Sequence, residues 1–127
     1  NRFSGVIICP SNPYLSIDPI LSVPYLNLFL SERSVPVLAV SPIINNTSIK
    51  GPTSKIMKEM NIEPSVKSIA DHYSGLTDIL VVDNKDKENI PRLDSVSFVF
   101  DSIYMETSNQ KINLATKCLD VLEGMYS

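Results

Sequence analysis

Several short stretches of this chain are apolar at consecutive positions instead of alternate ones, and this pattern limits the fold more than any other feature. The clearest are residues 5–9, 35–40 and 78–83, the last with an aspartate at each end. A strand with one wet face alternates polar and apolar side chains, whereas an uninterrupted, β-branched run is typical of a parallel strand covered on both faces. Residues 96–100 indicate a fourth strand. The sequence therefore predicts a mostly parallel sheet.

The segments between these runs have helical periodicity, which supplies the covering layers. Helices are predicted over residues 18–32 (broken at Pro24), after Thr53 or Ser54, after Ser65 and over residues 108–122. In the last of these, one apolar stripe is predicted at Ile112, Ala115, Cys118, Leu119 and Leu122. Strands that alternate with helices predict a three-layer, Rossmann-like α/β fold with right-handed crossovers.

Composition excludes several classes of protein. The chain has 127 residues, which suits one domain, and its net charge of −3 gives no reason to expect a nucleic-acid partner. No apolar run approaches the roughly 20 residues needed to cross a membrane. The chain has only four glycines, and they are too far apart to form a dinucleotide-binding or Walker A motif. Cys9, Cys118 and His72 lack the spacing of a zinc site. The cysteines lie in apolar stretches without a preceding signal peptide, which predicts reduced thiols in a cytoplasmic protein, with a disulfide as the less favoured alternative.

Two irregular, proline-rich segments mark the default binding site. Residues 10–13 follow the first predicted strand and residues 41–52 follow the second. The carboxyl ends of parallel strands share one edge of the sheet, where ligands of such folds gather. We therefore expect the two segments to lie side by side, with residues 41–52 forming a long loop.

The first segment has side chains that suit a phosphate group. Ser11 and Asn12 lie between two prolines that restrict the backbone, and Ser16 adds a hydroxyl near a predicted helix start, where free N–H groups favour anions. The alternative interpretation is local: Ser11 and Asn12 form a turn and Ser16 caps a helix. Asp18 counts against a bare anion here.

Other polar residues give weaker signals. Lys50 and Lys55 flank Gly51 and Pro52 and would suit a diphosphate, although exposed lysines are commoner. His72 is predicted to be a surface residue and not a general base. No set of nucleophile, base and orienting residue can be assembled, so the catalytic residues stay unassigned. Residue chemistry alone leads to a phosphate- or nucleotide-binding α/β domain.

Three segments carry a resemblance to a known family. They are residues 10–20 (PSNPYLSIDPI), 39–44 (AVSPII) and 50–57 (KGPTSKIM). In these segments the chain resembles the carboxy-terminal part of the 2-phospho-L-lactate transferases, which make the deazaflavin coenzyme F(420). Agreement continues in order at Ile69, Ala70, Tyr73, Asp78, Asp83, Asp101 and Met105. The resemblance implies that residues 1–127 form the carboxy-terminal part of one longer α/β domain, whose amino-terminal side holds a Gly-rich loop and the acidic residues for the acceptor.

The resemblance also implies a reaction. Family members move a phospholactyl or phosphoenolpyruvyl group from a guanosine diphosphate-linked donor to the deazaflavin Fo and release GMP, usually with Mg²⁺ between the phosphates. By position, the nucleotide-binding residues here are Pro10, Ser11, Asn12, Pro13, Ser16, Ser41, Pro42, Ile43, Gly51 and Pro52. No metal-ligating residue is assigned. One departure is Asp18, which stands where the family commonly has glycine.

Two alternatives accompany this interpretation. Gluconeogenesis-factor-type proteins share the fold and bind nucleotide-sugars as regulators, but their loop resembles Gly-Pro-Gly-Ser and not the Pro10–Pro13 sequence found here. A segment of this length is also compatible with a non-catalytic remnant that is inactive alone. The sequence leaves open which three-carbon donor is used and whether the chain forms a homodimer.

Overall fold

The computed structural model describes residues 3–45, 47–48 and 53–124 of the chain. Its centre is a parallel sheet of four strands: β1 Val6–Ile8, β2 Val37–Val40, β5 Ile79–Asp83 and β6 Ser97–Asp101. The strands are ordered β1-β2-β5-β6, with Ile8 beside Ala39, Val40 beside Val81 and Asp83 beside Asp101. All four match the apolar runs, so the predicted parallel α/β fold is confirmed.

The predicted helices are present in the predicted order, together with two short segments that were not predicted, a π-helical turn and a 3₁₀ helix. They are a π-helical turn Pro13–Ile17, α1 Asp18–Leu21, α2 Pro24–Ser31, α3 Thr53–Glu59, α4 Val66–His72, a 3₁₀ helix Asn84–Asn89 and α5 Ser108–Gly124. Within the described ranges, no helix combines the length and apolar character needed to cross a bilayer.

Local chemistry explains where these helices begin and end. Pro24 occupies the first turn of α2, where its missing N–H costs nothing, so the chain starts a new helix there instead of extending α1. Ser65 caps α4 by accepting a hydrogen bond from the Ser68 N–H at 3.2 Å. Asn61 and Gly75, with φ of 58° and 81°, turn the chain after α3 and α4 in a conformation that asparagine and glycine tolerate best.

The segment after β2 differs from its prediction as a loop. It contains a short antiparallel hairpin, formed by β3 Ile43–Ile44 and β4 Thr47–Ser48. Asn45 turns the chain with φ of 52°, a conformation that asparagine adopts more readily than most residues. Two-residue strands are too short to produce a recognisable period, which is why sequence analysis missed them. The predicted residues Gly51 and Pro52, with Lys50, lie outside the described residues.

The core has two sides, one on each face of the sheet. On the first, helices α1 to α4 pack against Ile8, Val37, Ala39, Leu80 and Val82. On the second, α5 packs against Leu38, Val40, Ile79 and Val81, together with Ile103 from the segment before the helix. Both faces of β2 and β5 are covered, which accounts for their uninterrupted apolar sequences.

The predicted stripe on α5 was partly wrong. The helix buries Leu114, Cys118 and Leu122, whereas Ile112 and Leu119 are 60% and 55% exposed. Ala115 is exposed as well. The helix therefore has apolar residues on two faces, and only one of them meets the sheet.

One ion pair stabilises the amino-terminal ends of β2 and β5, at the opposite end of the strands from the candidate site. The Arg33 guanidinium donates to both carboxylate oxygens of Asp78, at 3.2 and 2.8 Å, and the Val37 N–H donates to Asp78 Oδ2 at 2.8 Å. Burial alone raises the pKa of Asp78, but these hydrogen bonds and the guanidinium charge outweigh it, so the pKa lies below its usual value. This aspartate ties the end of α2 to the start of β2 and β5.

Candidate functional site

The two predicted segments follow adjacent strands. β1 pairs with β2 in parallel, so residues 10–13 and 41–43 leave the sheet at the same edge. Val40 lies beside Val81 in the ladder, and the Ser41 N–H still donates to the Val81 carbonyl at 2.9 Å. This edge is where open α/β sheets bind their ligands.

Asn12 organises the first segment. Its Oδ1 accepts hydrogen bonds from the N–H groups of Tyr14 and Leu15 at 2.9 and 3.1 Å, and its backbone carbonyl accepts from Ser16 at 3.0 Å. The residue is only 8% exposed. The side-chain oxygen of Asn12 therefore forms a local turn, as the alternative interpretation predicted, because it caps the π-helical turn. The N–H groups of Tyr14 and Leu15 are thus already hydrogen-bonded and are not available to a phosphate.

The side-chain nitrogen of Asn12, unlike its oxygen, does not cap the turn. Among the described residues, its buried Nδ2 has no hydrogen-bond partner. A buried donor without an acceptor costs about 1–3 kcal/mol of stability, so a ligand acceptor at this position is favoured.

The neighbours of Asn12 are held to different degrees. Pro13 is buried, Pro10 and Ser11 are half-buried, and Ser16 is exposed. The Ser11 N–H donates to the Cys9 carbonyl at 2.8 Å, which turns the chain directly after β1. Ser16 lies inside the π-helical turn, so it does not cap a helix as one alternative proposed. The Ser11 and Ser16 hydroxyls remain candidates for ligand contacts.

Residues 41–43 form a packed support, not an open loop. Ser41, Pro42 and Ile43 are buried, and Ser41 Oγ accepts a hydrogen bond from the Ile43 N–H at 3.1 Å. A buried hydroxyl that is already engaged shapes the backbone more than it offers a free group. This part of the predicted site positions the hairpin beside residues 10–13.

Asp18 is paired with a residue that sequence analysis set aside. Its Oδ1 lies 2.7 Å from His72 Nε2, and the ring centroids of His72 and Tyr14 are 4.6 Å apart. The His72 side chain is 22% exposed, so it is more enclosed than the predicted surface residue. Burial, followed by the charge of Asp18, raises the pKa of Tyr14. The two partners are 54 positions apart, and no local pattern connects them.

The aspartates that end β5 and β6 accept hydrogen bonds from backbone N–H groups. Asp83 accepts hydrogen bonds from the N–H groups of Lys85 and Ile103 at 3.0 and 3.1 Å, and Asp101 accepts from Ser102 at 2.7 Å. In the part of the chain that the structure describes, no three histidine, cysteine, aspartate or glutamate residues come together as metal ligands would. These residues therefore do not fit a magnesium site held by the protein alone.

A groove at the same edge extends the candidate site. It has a volume of about 430 Å³, within the range of small-molecule sites. Its lining residues are Ile44, Asp83, Asn84, Lys85, Ser102 and Tyr104. Sequence analysis missed it, because the hairpin that supplies Ile44 and the turn that supplies Tyr104 have no motif. The signals available were the polar run at residues 84–88 and Asp83, the aspartate that ends the third predicted strand.

Asp86 is the most enclosed charged residue near this groove. It is fully buried, and its Oδ2 accepts a hydrogen bond from the Asn45 N–H at 2.9 Å, which ties the hairpin to the 3₁₀ helix. Its Oδ1 has no hydrogen-bond partner among the described residues. Burying a carboxylate is costly unless it accepts hydrogen bonds, so the bond from the Asn45 N–H favours this position of the hairpin.

The chain is similar to one family over nearly its whole length. The profile described as 2-phospho-L-lactate transferase CofD matches residues 3–114. Proteins named 2-phospho-L-lactate transferase from Methanocaldococcus jannaschii, Methanopyrus kandleri and Methanosarcina barkeri are 39%, 33% and 43% identical over 115, 127 and 83 residues. These matches cover 91%, 98% and 65% of this chain but 36%, 40% and 26% of the relatives. The chain therefore spans well under half the length of the curated relatives it matches.

Proposed function

Because the chain belongs to the 2-phospho-L-lactate transferase (CofD) family, we propose that it provides the nucleotide-holding part of a transferase of coenzyme F(420) biosynthesis. The family profile covers residues 3–114, which include the proline-rich segment and residues 41–43. In this proposal the donor nucleotide lies over the carboxyl ends of β1 and β2. The acceptor binds mainly to parts of the longer family chain outside the matched region.

The proposed reaction is a transfer of a substituted phosphate. The terminal hydroxyl of the deazaflavin Fo attacks the phosphorus that carries the lactyl or enolpyruvyl group. The bond between this phosphorus and the bridging oxygen breaks, GMP leaves with that oxygen, and the hydroxyl proton passes to solvent or to the leaving phosphate. Such chemistry depends on positioning and on neutralising charge, so a rigid nucleotide-binding edge is a useful contribution.

The observation that carries the proposal is the free amide donor of Asn12. Its Oδ1 is engaged by Tyr14 and Leu15, while its Nδ2 is buried without a partner among the described residues. A diphosphate oxygen is an acceptor of the kind that this donor lacks. We assign Asn12 Nδ2 to the donor diphosphate, with the Ser11 and Ser16 hydroxyls beside it.

Charge near this segment is compatible with an anion. Asp18, the first residue of α1, lies 2.7 Å from His72, which offsets its charge when the imidazole is protonated. Asp83 accepts two backbone hydrogen bonds instead of projecting a bare carboxylate. Magnesium remains a prediction, and we assign no residue of this chain to it.

The experiment is a thermal-shift comparison of GDP and UDP, with Asn12→Asp as the test variant. Aspartate keeps an oxygen that caps Tyr14 and Leu15, but it replaces the Nδ2 donor with a negative charge. We expect GDP to raise the melting temperature of the wild type more than UDP does. We expect Asn12→Asp to melt below the wild type without nucleotide, because it buries an unpaired carboxylate oxygen, and to lose most of the further rise that GDP gives the wild type.

Two results would count against the proposal. A larger shift with UDP would favour a nucleotide-sugar-binding regulator of the gluconeogenesis-factor type. An undiminished GDP shift in Asn12→Asp would remove the Asn12 amide from the site. Ser74→Ala is the control, since Ser74 is exposed at the end of α4 and its substitution should leave both shifts unchanged.

A further inference from the structure

The Asp18–His72 pair joins the π-helical turn to helix α4. Asp18 Oδ1 lies 2.7 Å from His72 Nε2, and the two side chains are 41% and 22% exposed. The Asp18 N–H donates to the Pro13 carbonyl at the end of the π-helical turn, and Asn12 Oδ1 caps the start of the same turn. The Asp18 carboxylate is therefore held one turn along the chain from the Asn12 amide.

The negative charge of Asp18 acts beyond this pair. Burial, and after it the charge of Asp18, raises the pKa of Tyr14 and the pKa of Tyr73. Like charges repel each other over similar distances. A diphosphate bound at Asn12 Nδ2 lies one turn from Asp18, so a carboxylate without a compensating cation would weaken its binding.

The imidazole of His72 is the group placed to compensate this charge. Within the described ranges, Asp18 is the only acid within ion-pair distance of His72. Tyr14 and Tyr73 pack edge-on against the ring, with centroids 4.6 and 5.5 Å away, and their raised pKa values keep both phenols neutral near pH 7. On α4 itself, Lys67 pairs with Asp71 at 2.7 Å. The 3₁₀ helix also contacts α4, and its charged residues are Lys85, Asp86, Lys87 and Glu88.

We propose that His72 is a positioning residue for the nucleotide, because its protonated imidazole neutralises Asp18 and loss of the proton leaves a carboxylate that repels the diphosphate. The inference rests on the proposed function, in which Asn12 Nδ2 binds the diphosphate. An unperturbed imidazole titrates at about pH 6.5, so the affinity for the nucleotide should fall between pH 6 and pH 8. Asp18 is also where the chain departs from the family resemblance, so this pH dependence is a feature of the chain itself.

The test is the affinity for GDP, measured by isothermal titration calorimetry at pH 6 and pH 8 in the wild type and in His72→Gln. Glutamine keeps a side-chain N–H donor but never carries a charge. We expect His72→Gln to bind GDP about five-fold more weakly than the wild type at pH 6 and within about two-fold of it at pH 8. Equal losses at both pH values would show a purely structural role and would overturn the proposal. Unchanged affinity at pH 6 would overturn it as well.

A second substitution tests whether His72 acts through Asp18. The double variant Asp18→Asn/His72→Gln should bind GDP at pH 6 at least as tightly as the wild type, because the charge that required compensation is gone. The phosphate of GDP also titrates in this pH range, and the double variant, which lacks both side-chain charges, measures that effect alone. Lys67→Gln is the matched control, since it removes a positive charge from an exposed pair on α4 and should change the affinity by less than about two-fold at either pH. Failure of the double variant to recover affinity would contradict the proposal.

Asp18→Asn alone decides the question if His72→Gln does not fold. At pH 8, where the imidazole of the wild type is neutral, this variant should bind GDP about five-fold more tightly than the wild type. Equal or weaker binding would overturn the proposal. Absence of GDP binding to the wild type would overturn the proposed function and this inference together. GDP binding that no substitution at Asp18 or His72 alters would overturn this inference alone.

Discussion

At the scale of single residues, position in the fold gives chemically identical groups different properties. Cys9 and Cys118 are both free thiols, but Cys9 is exposed just after β1, whereas Cys118 is buried on the side of α5 that faces the sheet. The sequence placed both in apolar stretches and could not separate them. Burial is the main reason that the pKa of the Cys118 thiol is raised.

This contrast predicts ordered alkylation. Iodoacetamide at pH 8 should modify Cys9 in the native protein well before Cys118, since the thiolate is the reactive form and Cys118 is both enclosed and harder to ionise. Peptide mass spectrometry over time measures the two rates. In denaturant the rates should converge. Equal rates in the native protein would contradict the burial of Cys118.

At the scale of elements, α5 is held by one of its two apolar faces. Leu114 and Leu122 pack against the second face of the sheet, whereas Ile112 points away from it. Helical periodicity in the sequence identified the helix but not the face, because apolar residues at both sets of positions give overlapping stripes. The buried face of α5 should therefore contribute more to the free energy of unfolding than the exposed face.

Alanine substitutions separate the two faces. Leu114→Ala should lower the free energy of unfolding by about 2–4 kcal/mol, because it leaves a cavity against the sheet. Ile112→Ala, the matched control on the same helix, should change it by less than about 0.5 kcal/mol. Urea titration of each variant measures the effect. A larger cost at Ile112 would mean that α5 is rotated about its axis.

The Arg33–Asp78 pair predicts how these elements respond to acid. The pKa of Asp78 is lower in the folded protein than its ordinary value of 3.8, so its contribution to stability is present above that pH and is lost as the pH falls through the folded value. Asp78→Asn should cost on the order of 1–2 kcal/mol at pH 7. Urea midpoints at pH 7 and pH 2.5 should show the difference between wild type and variant shrinking in acid. A difference that grows in acid would contradict the pairing.

At the scale of the whole molecule, the sequence predicted the parts of the fold that depend on local pattern. Continuous apolar runs identified the strands, and the side-by-side position of the segments after β1 and β2 followed from their parallel order. Contacts between distant positions had no such signal. The Asp18–His72 pair forms where α4 packs beside the π-helical turn. The groove beside Tyr104 forms where the hairpin packs beside the ends of β5 and β6.

In the proposed function, a guanine nucleotide binds over the carboxyl ends of β1 and β2. The direct measurement is a titration of the ¹⁵N-labelled protein with GDP, followed through backbone amide signals. We predict shifts concentrated at residues 10–16 and 41–43, with the signals of Arg33 and Gly75 at the opposite edge unchanged. Shifts concentrated around Arg33 and Gly75, or no shifts at millimolar GDP, would show that the nucleotide does not bind at this site.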